Sequence, residues 1–326
     1  NKMSTPAFYC AESVRRVLSW QLVNEAVEEA LKAVSTPPQS PYVVSQPVRS
    51  VTTAGGDRSK LLFTMPAFVG NYRLTRAGSA GDTAKAARST LACKLLTSFS
   101  KNCELQPPLA SIAANILLFN AKTGELDAVM PGTDITTWRT ASASVVATKY
   151  LYFSRYNSCG NAVNVAIIGC GTQGEIHAAA MCANFKVNQL LLFNRTTSRA
   201  QQLADKLRSI DMEDKPEILV CQSAREAVCN ANIICVATFS KEPLFSASDL
   251  GSERPIHINA IGAGEAHFGE VATDVYEQSE VFVDCLANAE QELQGFPVPI
   301  AGEVGNVINS GYKPQTLSTT VFQSLG

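Results

Sequence analysis

Residues 163–200 read VNVAIIGCGTQGEIHAAAMCANFKVNQLLLFNRTTSRA. An apolar β-like run, Val163 to Ile168, leads into Gly169-Cys170-Gly171-Thr172-Gln173-Gly174. A small-residue helical segment follows, and a second apolar run, Leu190 to Phe193, closes the unit. Here G-x-G-x-x-G stands in a strand–turn–helix–strand context, which supplies the specificity that the bare motif lacks. The three glycines serve a tight turn, close approach of backbone to a pyrophosphate, and close helix–sheet packing. The helix that begins there points unpaired N–H groups at an anion. The second strand ends in Asn194-Arg195-Thr196, where an Asp or Glu would bind the ribose 2′-OH of NAD; an Arg suits a 2′-phosphate instead. The stretch therefore predicts a dinucleotide, with NADP(H) preferred over NAD(H).

The 326 residues suffice for about two domains. At 46% hydrophobic and 17% charged, the chain can bury a large core. A net charge of −2 gives no bulk electrostatic reason to bind nucleic acid or an anionic membrane. Ten cysteines occur without a C-x-x-C, several inside apolar runs, so they read as reduced, small hydrophobic residues in a cytoplasmic protein. His177, His257 and His267 are scattered and form no metal-ligand pattern. No apolar run approaches the roughly 18 residues of a membrane span, and no signal-like stretch opens the chain.

Along the chain, residues 11–34 carry apolar positions at helical spacing, ended by the Pro-rich 35–41. Strand-like runs follow at 42–51, 60–68, 91–99 and 114–121. A hairpin is predicted with Lys122-Thr123-Gly124 as its turn. The stretch 70–90 is basic and Gly/Ala-rich and reads as an insertion between two strands. Residues 133–152 predict a helix capped by Thr136 or Thr137, and 154–161 a linker. From Val163, strands alternate with helices, which implies an α/β, Rossmann-type, doubly wound parallel sheet. The expected organisation is an α+β substrate-binding and dimerisation domain, 1–135, with 305–326 returning to it, and a Rossmann dinucleotide-binding domain, 136–304.

Three cations stand in apolar surroundings: Arg49 in QPVRSV, Lys94 in LACKLLTSF and Arg139 in TTWRTAS. Each alone reads as a side chain reaching solvent. Converged, two guanidinium forks and an ammonium would clamp a carboxylate, and the partner would be a small amino or imino acid. Candidate acids are Asp134, Glu265, Glu270, Asp284, Glu292 and Glu303.

Taken in order, SQPVRSV, LFTMPAF, CKLLTSF, ILLFNAKTGELDAVMPGTDITTWRTASASVVATKYL, VAIIGCGTQGEIHAAA, FNRTTSRA and HINAIGA resemble the ornithine cyclodeaminase/mu-crystallin family over nearly the whole chain. The resemblance implies a homodimer. It places Arg49, Lys94 and Arg139 on the substrate carboxylate, and Glu292 where a ligand-contacting Glu occurs. It puts Ser111, Cys170, Thr172 and Gln173 at cofactor positions, together with Asn194, Arg195 and Thr196. Arg199 is grouped with these. Thr238, Phe239, Ile261 and Ser324 are further positions of that kind. The Asn-Arg-Thr triplet resembles the branch that uses NADPH. Cyclodeaminases place an Asp two residues after N-A-V-G; here NAIG (259–262) is followed by Ala263 and Gly264, with Glu265 adjacent. The family also usually continues beyond Gly326.

The resulting expectation is an NADPH-dependent reductase of a C=N bond next to a carboxylate, with Lys94 as the candidate proton donor. Alternatives are ornithine cyclodeamination, an amino-acid or opine-type dehydrogenase, and an NADPH-gated protein binding a thyroid-hormone-like ligand. Fold does not decide among them.

Overall fold

The computed structural model describes residues 5–37, 40–75, 86–156, 160–210, 214–251, 254–262 and 268–325. The chain divides into two compact units, Asn1–Arg139 and Thr140–Gly326.

In the first unit, β1 (Ala7–Phe8) precedes α1 (Ala11–Val17) and α2 (Trp20–Val34). Ser19 caps α2 by accepting the Leu22 N–H at 3.3 Å, which satisfies an orphan amide of the first turn. Strands β2 (Val43–Ser45), β3 (Ser50–Ala54), β4 (Asp57–Tyr72), β5 (Arg88–Phe99), β6 (Ile112–Phe119) and β7 (Leu126–Pro131) then build a sheet. Its order is β1-β7-β6-β5-β4-β2, with β3 also paired to β4. The pairs are antiparallel except β1 with β7. The β3–β4 hairpin turns on Gly55 and Gly56 at φ 65° and 75°, a backbone that glycine adopts without steric cost. At the expected second hairpin, Asn120 Oδ1 accepts the amides of Lys122 and Thr123. The 70–90 stretch is partly ladder: Gly70 pairs with Ser89 and Tyr72 with Arg88. Residues 76–85 lie outside the described residues.

Helix α3 (Thr133–Leu151) carries the division between units, so the boundary falls after Arg139 and not after 135. Thr136 and Thr137 do not cap it. They lie within its opening turns, where the Thr137 hydroxyl donates to the Thr133 carbonyl at 3.1 Å. From Thr140 on, its Ala, Ser, Thr and Val side chains are buried.

The second unit alternates strands with helices except between β11 and β12: β8 (Val163–Ile168), α4 (Thr172–Asn184), β9 (Val187–Phe193), α5 (Thr197–Ser209), β10 (Glu217–Val220), α6 (Ala224–Val228), β11 (Ile233–Val236), β12 (Ile256–Ala260), α7 (Thr273–Glu277), β13 (Ser279–Val283), α8 (Leu286–Glu292), β14 (Gly302–Glu303), α9 (Val304–Ser310) and β15 (Thr319–Gln323). All eight strands are parallel, in the order β10-β9-β8-β11-β12-β15-β13-β14. The chain winds outward from β8 to β10, then returns to β8's other side with β11; that reversal is the switch point of a doubly wound sheet. Ile167, Ile168, Ile233 and Ile234 are fully buried, as strands covered on both faces must be.

Two further expectations are corrected. The tail does not return to the first unit: β15 inserts between β12 and β13, with Val321 and Phe322 fully buried. A five-residue strand covered on both faces carries no alternation, so its sequence does not announce the sheet. Nor is the described start of the expected linker, 154–156, a free connection; 157–159 lie outside the described residues. Arg155 Nη1 donates to the Ser318 carbonyl at 2.5 Å and Nη2 to Thr320 Oγ1 at 2.8 Å, which fastens this segment to the start of β15. Among the described residues, no helix is long and apolar enough to cross a membrane.

Two histidines are built into this unit as neutral groups. His177 donates through Nδ1 to the Gln173 carbonyl and accepts from Ser144; His257 lies between Thr320 and Asn259. Burial brings their pKa values down to about 4 and about 3. A depressed histidine pKa favours folding above the ordinary value of 6.5 and loses that contribution as pH falls below it. Thermal unfolding across pH should show stability falling from near 6.5 toward 4, with His177 alone accounting for roughly 3 kcal/mol. A flat profile over that window would contradict the neutral assignment.

Candidate active site

The expected cofactor residues of the second unit gather on one edge of its sheet. Gly169–Gly174 follow β8, Asn194–Thr196 follow β9, Thr238 and Phe239 follow β11, Ile261 follows β12, and Ser324 follows β15. These strands are adjacent in the order β9-β8-β11-β12-β15, so all these residues stand at neighbouring carboxyl ends.

The three glycines play different parts. Gly169 has φ +98°, and a methyl group there would stand 2.5 Å from the Ala237 carbonyl oxygen and 2.7 Å from Thr238 Cγ2. It thus lets β8 meet the β11 end at the switch point. At Gly174 a methyl group would stand 1.8 Å from the Gly169 carbonyl oxygen, so α4 packs onto its own turn. Gly171 faces open space: a methyl group there would meet nothing within 4 Å, and the residue begins α4 with no side-chain cap. The uncapped amides and open approach at Gly171 fit a pyrophosphate. Cys170 contributes its backbone: its N–H donates to Asn194 Oδ1 at 3.0 Å, and burial pushes its thiol up to about 12.

Asn194 also donates through Nδ2 to the Thr196 carbonyl at 3.0 Å. An Asp could accept from Cys170 but could not donate to Thr196. The residue at the acid position therefore locks the glycine turn to the end of β9. Arg195, Thr196 and Arg199 are exposed beside it, as is Thr172, whereas Gln173 is half-buried with Oε1 lacking a partner.

In the first unit, the sheet register assembles the cations. Lys94 on β5 pairs with Met65 on β4 and with Ile116 on β6. Ser50 pairs with Thr64, so Arg49, one residue earlier, comes level with Met65. Arg139 ends the unit on α3. Desolvation, then the charges of Arg139 and Arg49, bring the Lys94 pKa down to about 7. The two arginines thus lie near enough to Lys94 to act on its charge. Ser111 lies just ahead of β6, its carbonyl accepting from the Phe99 N–H at 2.8 Å. Glu292 ends α8.

The other acids have structural partners. Asp134 pairs with Arg15 at 2.9 Å, Glu303 accepts the Leu286 N–H at 2.7 Å, and Asp284 accepts the Leu325 N–H at 3.2 Å. Gly264 and Glu265 lie outside the described residues. Glu270 differs: it is only 2% exposed and bonds the Thr238 hydroxyl. In the sequence it is one acid among several without a role, because 32 residues separate it from Thr238. Among the described residues, no group of His, Cys, Asp and Glu could hold a metal ion.

The fold and glycine turn define a Rossmann-type dinucleotide-binding protein, with a cationic seat in its α+β unit. A profile of the ornithine cyclodeaminase/mu-crystallin family matches residues 5–326, and the chain belongs to that family. It is similar to the ketimine reductase mu-crystallin of Mus musculus, at 32% identity over 327 residues, covering 98% of this chain and 92% of the relative. A Delta(1)-pyrroline-2-carboxylate reductase of Bacillus cereus is 31% identical over 225 residues, 65% of each chain. The structure of Thermococcus litoralis Delta(1)-pyrroline-2-carboxylate reductase in complex with NADH and L-proline shares the fold, with TM-score 0.77, 24% identity, and coverage of 98% and 92%.

The glycine geometry separates two substitutions. Gly174→Ala should destabilise the protein by about 2 kcal/mol or more, because the collision is with backbone. Gly171→Ala should stay within about 0.5 kcal/mol of wild type. Thermal or urea unfolding checks both, and equal effects would refute the assigned roles.

Proposed function

We propose that the protein is an NADPH-dependent oxidoreductase that reduces a C=N bond adjacent to a carboxylate, in a cyclic ketimine or related imino acid. The observation that carries this reading is the gathering of Arg49 and Arg139 around Lys94, whose pKa is brought down to about 7. The names of the mouse and Bacillus relatives support it, since both are reductases of such compounds. The bound dinucleotide would supply hydride to the imine carbon. Gly171 and the first amides of α4 would hold its pyrophosphate; Arg195 and Arg199 would face the 2′-phosphate. Arg49 and Arg139 would fork onto the substrate carboxylate and fix the orientation of the C=N bond.

Lys94 would then give its proton to the imine nitrogen. Hydride at carbon and proton at nitrogen together convert C=N to CH–NH. A pKa of about 7 suits a donor working near neutrality. We read the active form as a homodimer in a reducing, cytoplasmic setting. Exposed Phe8, Val51 and Ile112 on the first unit and free thiols such as Cys221 and Cys235 favour that reading. Light scattering that returns 34.9 kDa, and not twice that mass, would count against the dimer.

NADPH oxidation should be seen with pyrroline-2-carboxylate or another cyclic ketimine. Arg49→Met and Arg139→Met should each raise KM at least about tenfold, on the scale of a lost charge-assisted hydrogen bond. Lys94→Met should lower kcat, and wild-type kcat/KM should decline above about pH 7 as the free lysine deprotonates. No turnover with any imino acid would sink the proposal. Arg195→Asp should move the preference from NADPH toward NADH. An unchanged affinity ratio would refute the role given to the end of β9.

A further inference from the structure

Glu270 is an expensive residue to bury. Its carboxyl group is pushed up to about 6 by desolvation, against the pull of the Thr238 hydroxyl and of nearby backbone amides of Thr238, Ser240 and Gly262. One oxygen accepts the Thr238 hydroxyl. The other, Oε2, has no hydrogen-bond partner of good geometry and lies hard against Gly262, where a methyl group would stand 2.0 Å from it. A carboxyl group whose folded pKa is raised costs folding free energy once ionised, so above about pH 6 Glu270 subtracts from stability. The charge of its ionised form therefore does not account for its burial.

Its position does. Thr238 follows β11 and Gly262 follows β12, the first two strands beyond the switch point. In a doubly wound sheet the glycine turn takes the pyrophosphate, and a dinucleotide crosses the switch point, so its second half lies over these strand ends. Phe239, next to Thr238, is 82% exposed there, and Ile261 is next to Gly262. The Thr238 hydroxyl in turn accepts the Ser240 N–H at 3.0 Å, and the Leu244 N–H donates to the Glu270 carbonyl at 2.9 Å. Among the described residues, the titratable group facing Glu270 is Tyr276 on α7, whose phenol is pushed up by burial and donates to Gln323 on β15 at 2.9 Å.

We propose that Glu270 is a positioning residue for the nicotinamide half of the dinucleotide: it clasps Thr238, after β11, to Gly262, after β12, and so holds their neighbours Phe239 and Ile261 as the seat of the ring. The proposal rests on the dinucleotide-binding reading above. The glycine turn and Arg195 hold the other half, so the clasp acts on one half alone.

The test compares two probes on the full chain: NADPH, and the adenosine bisphosphate that carries the same 2′-phosphate but no nicotinamide. Glu270→Gln should weaken NADPH binding at least about tenfold, as expected for losing hydrogen bonds to a charged group, and leave the fragment unchanged. Gly262→Ala should reproduce the loss, because its methyl group displaces the same carboxylate; it also serves if Glu270→Gln does not fold. In wild type, NADPH affinity relative to the fragment should fall as pH drops through about 6, and this limb should vanish in Glu270→Gln. The ratio cancels titration of the shared 2′-phosphate. Equal weakening of both probes, or no change in either, would overturn the clasp. If wild type binds neither probe, the dinucleotide reading itself fails.

Discussion

Everything in the second unit is arranged around one close approach. Gly169 leaves β8 at positive φ and passes within contact of Ala237 and Thr238, while Gly174 brings α4 down onto the Gly169 carbonyl. Side chains larger than hydrogen fit at neither place. Because β8 and β11 flank the switch point, this contact fixes where the helix amides point and how the next strand end is presented. Asn194 then ties the turn to β9 on one side. Glu270 ties β11 to β12 on the other. A continuous edge of backbone results, with polar side chains used mainly to hold backbone in place.

The first unit works by the opposite principle. Its sheet places positive charges together where water is scarce. Lys94 sits between Met65 and Ile116, and its neighbours Arg49 and Arg139 repel it. Burial and these two positive charges together hold the Lys94 pKa well below its ordinary value.

Much of this was legible in the sequence, for identifiable reasons. The glycine turn is local, six residues in which Gly169 and Gly174 leave no room for a side chain and Gly171 stands open, so the three glycines can be given separate roles from their spacing. The strand–helix alternation from Val163 is periodic over long stretches and predicts the parallel sheet. Arg49, Lys94 and Arg139 are visible as cations in apolar runs, though each alone means little. The tail is illegible because Thr319–Gln323 is short and buried on both faces. The segment 154–161 looks like a linker because what holds Arg155 lies some 160 residues downstream, at Ser318 and Thr320.

Local encoding is thus where the sequence suffices: a Rossmann turn, an acid position filled by Asn194, and three cations set in apolar runs. Which distant residues share a surface was decided by the tertiary structure. Register alone brought Arg49 level with Met65 and Lys94, and the return of the chain alone seated β15 between β12 and β13. Glu270 shows the difference most plainly. Its type and number are in the sequence, but its role depends on desolvation and on contact with Thr238 and Gly262. Both arise only when strand ends far apart in the chain are packed side by side.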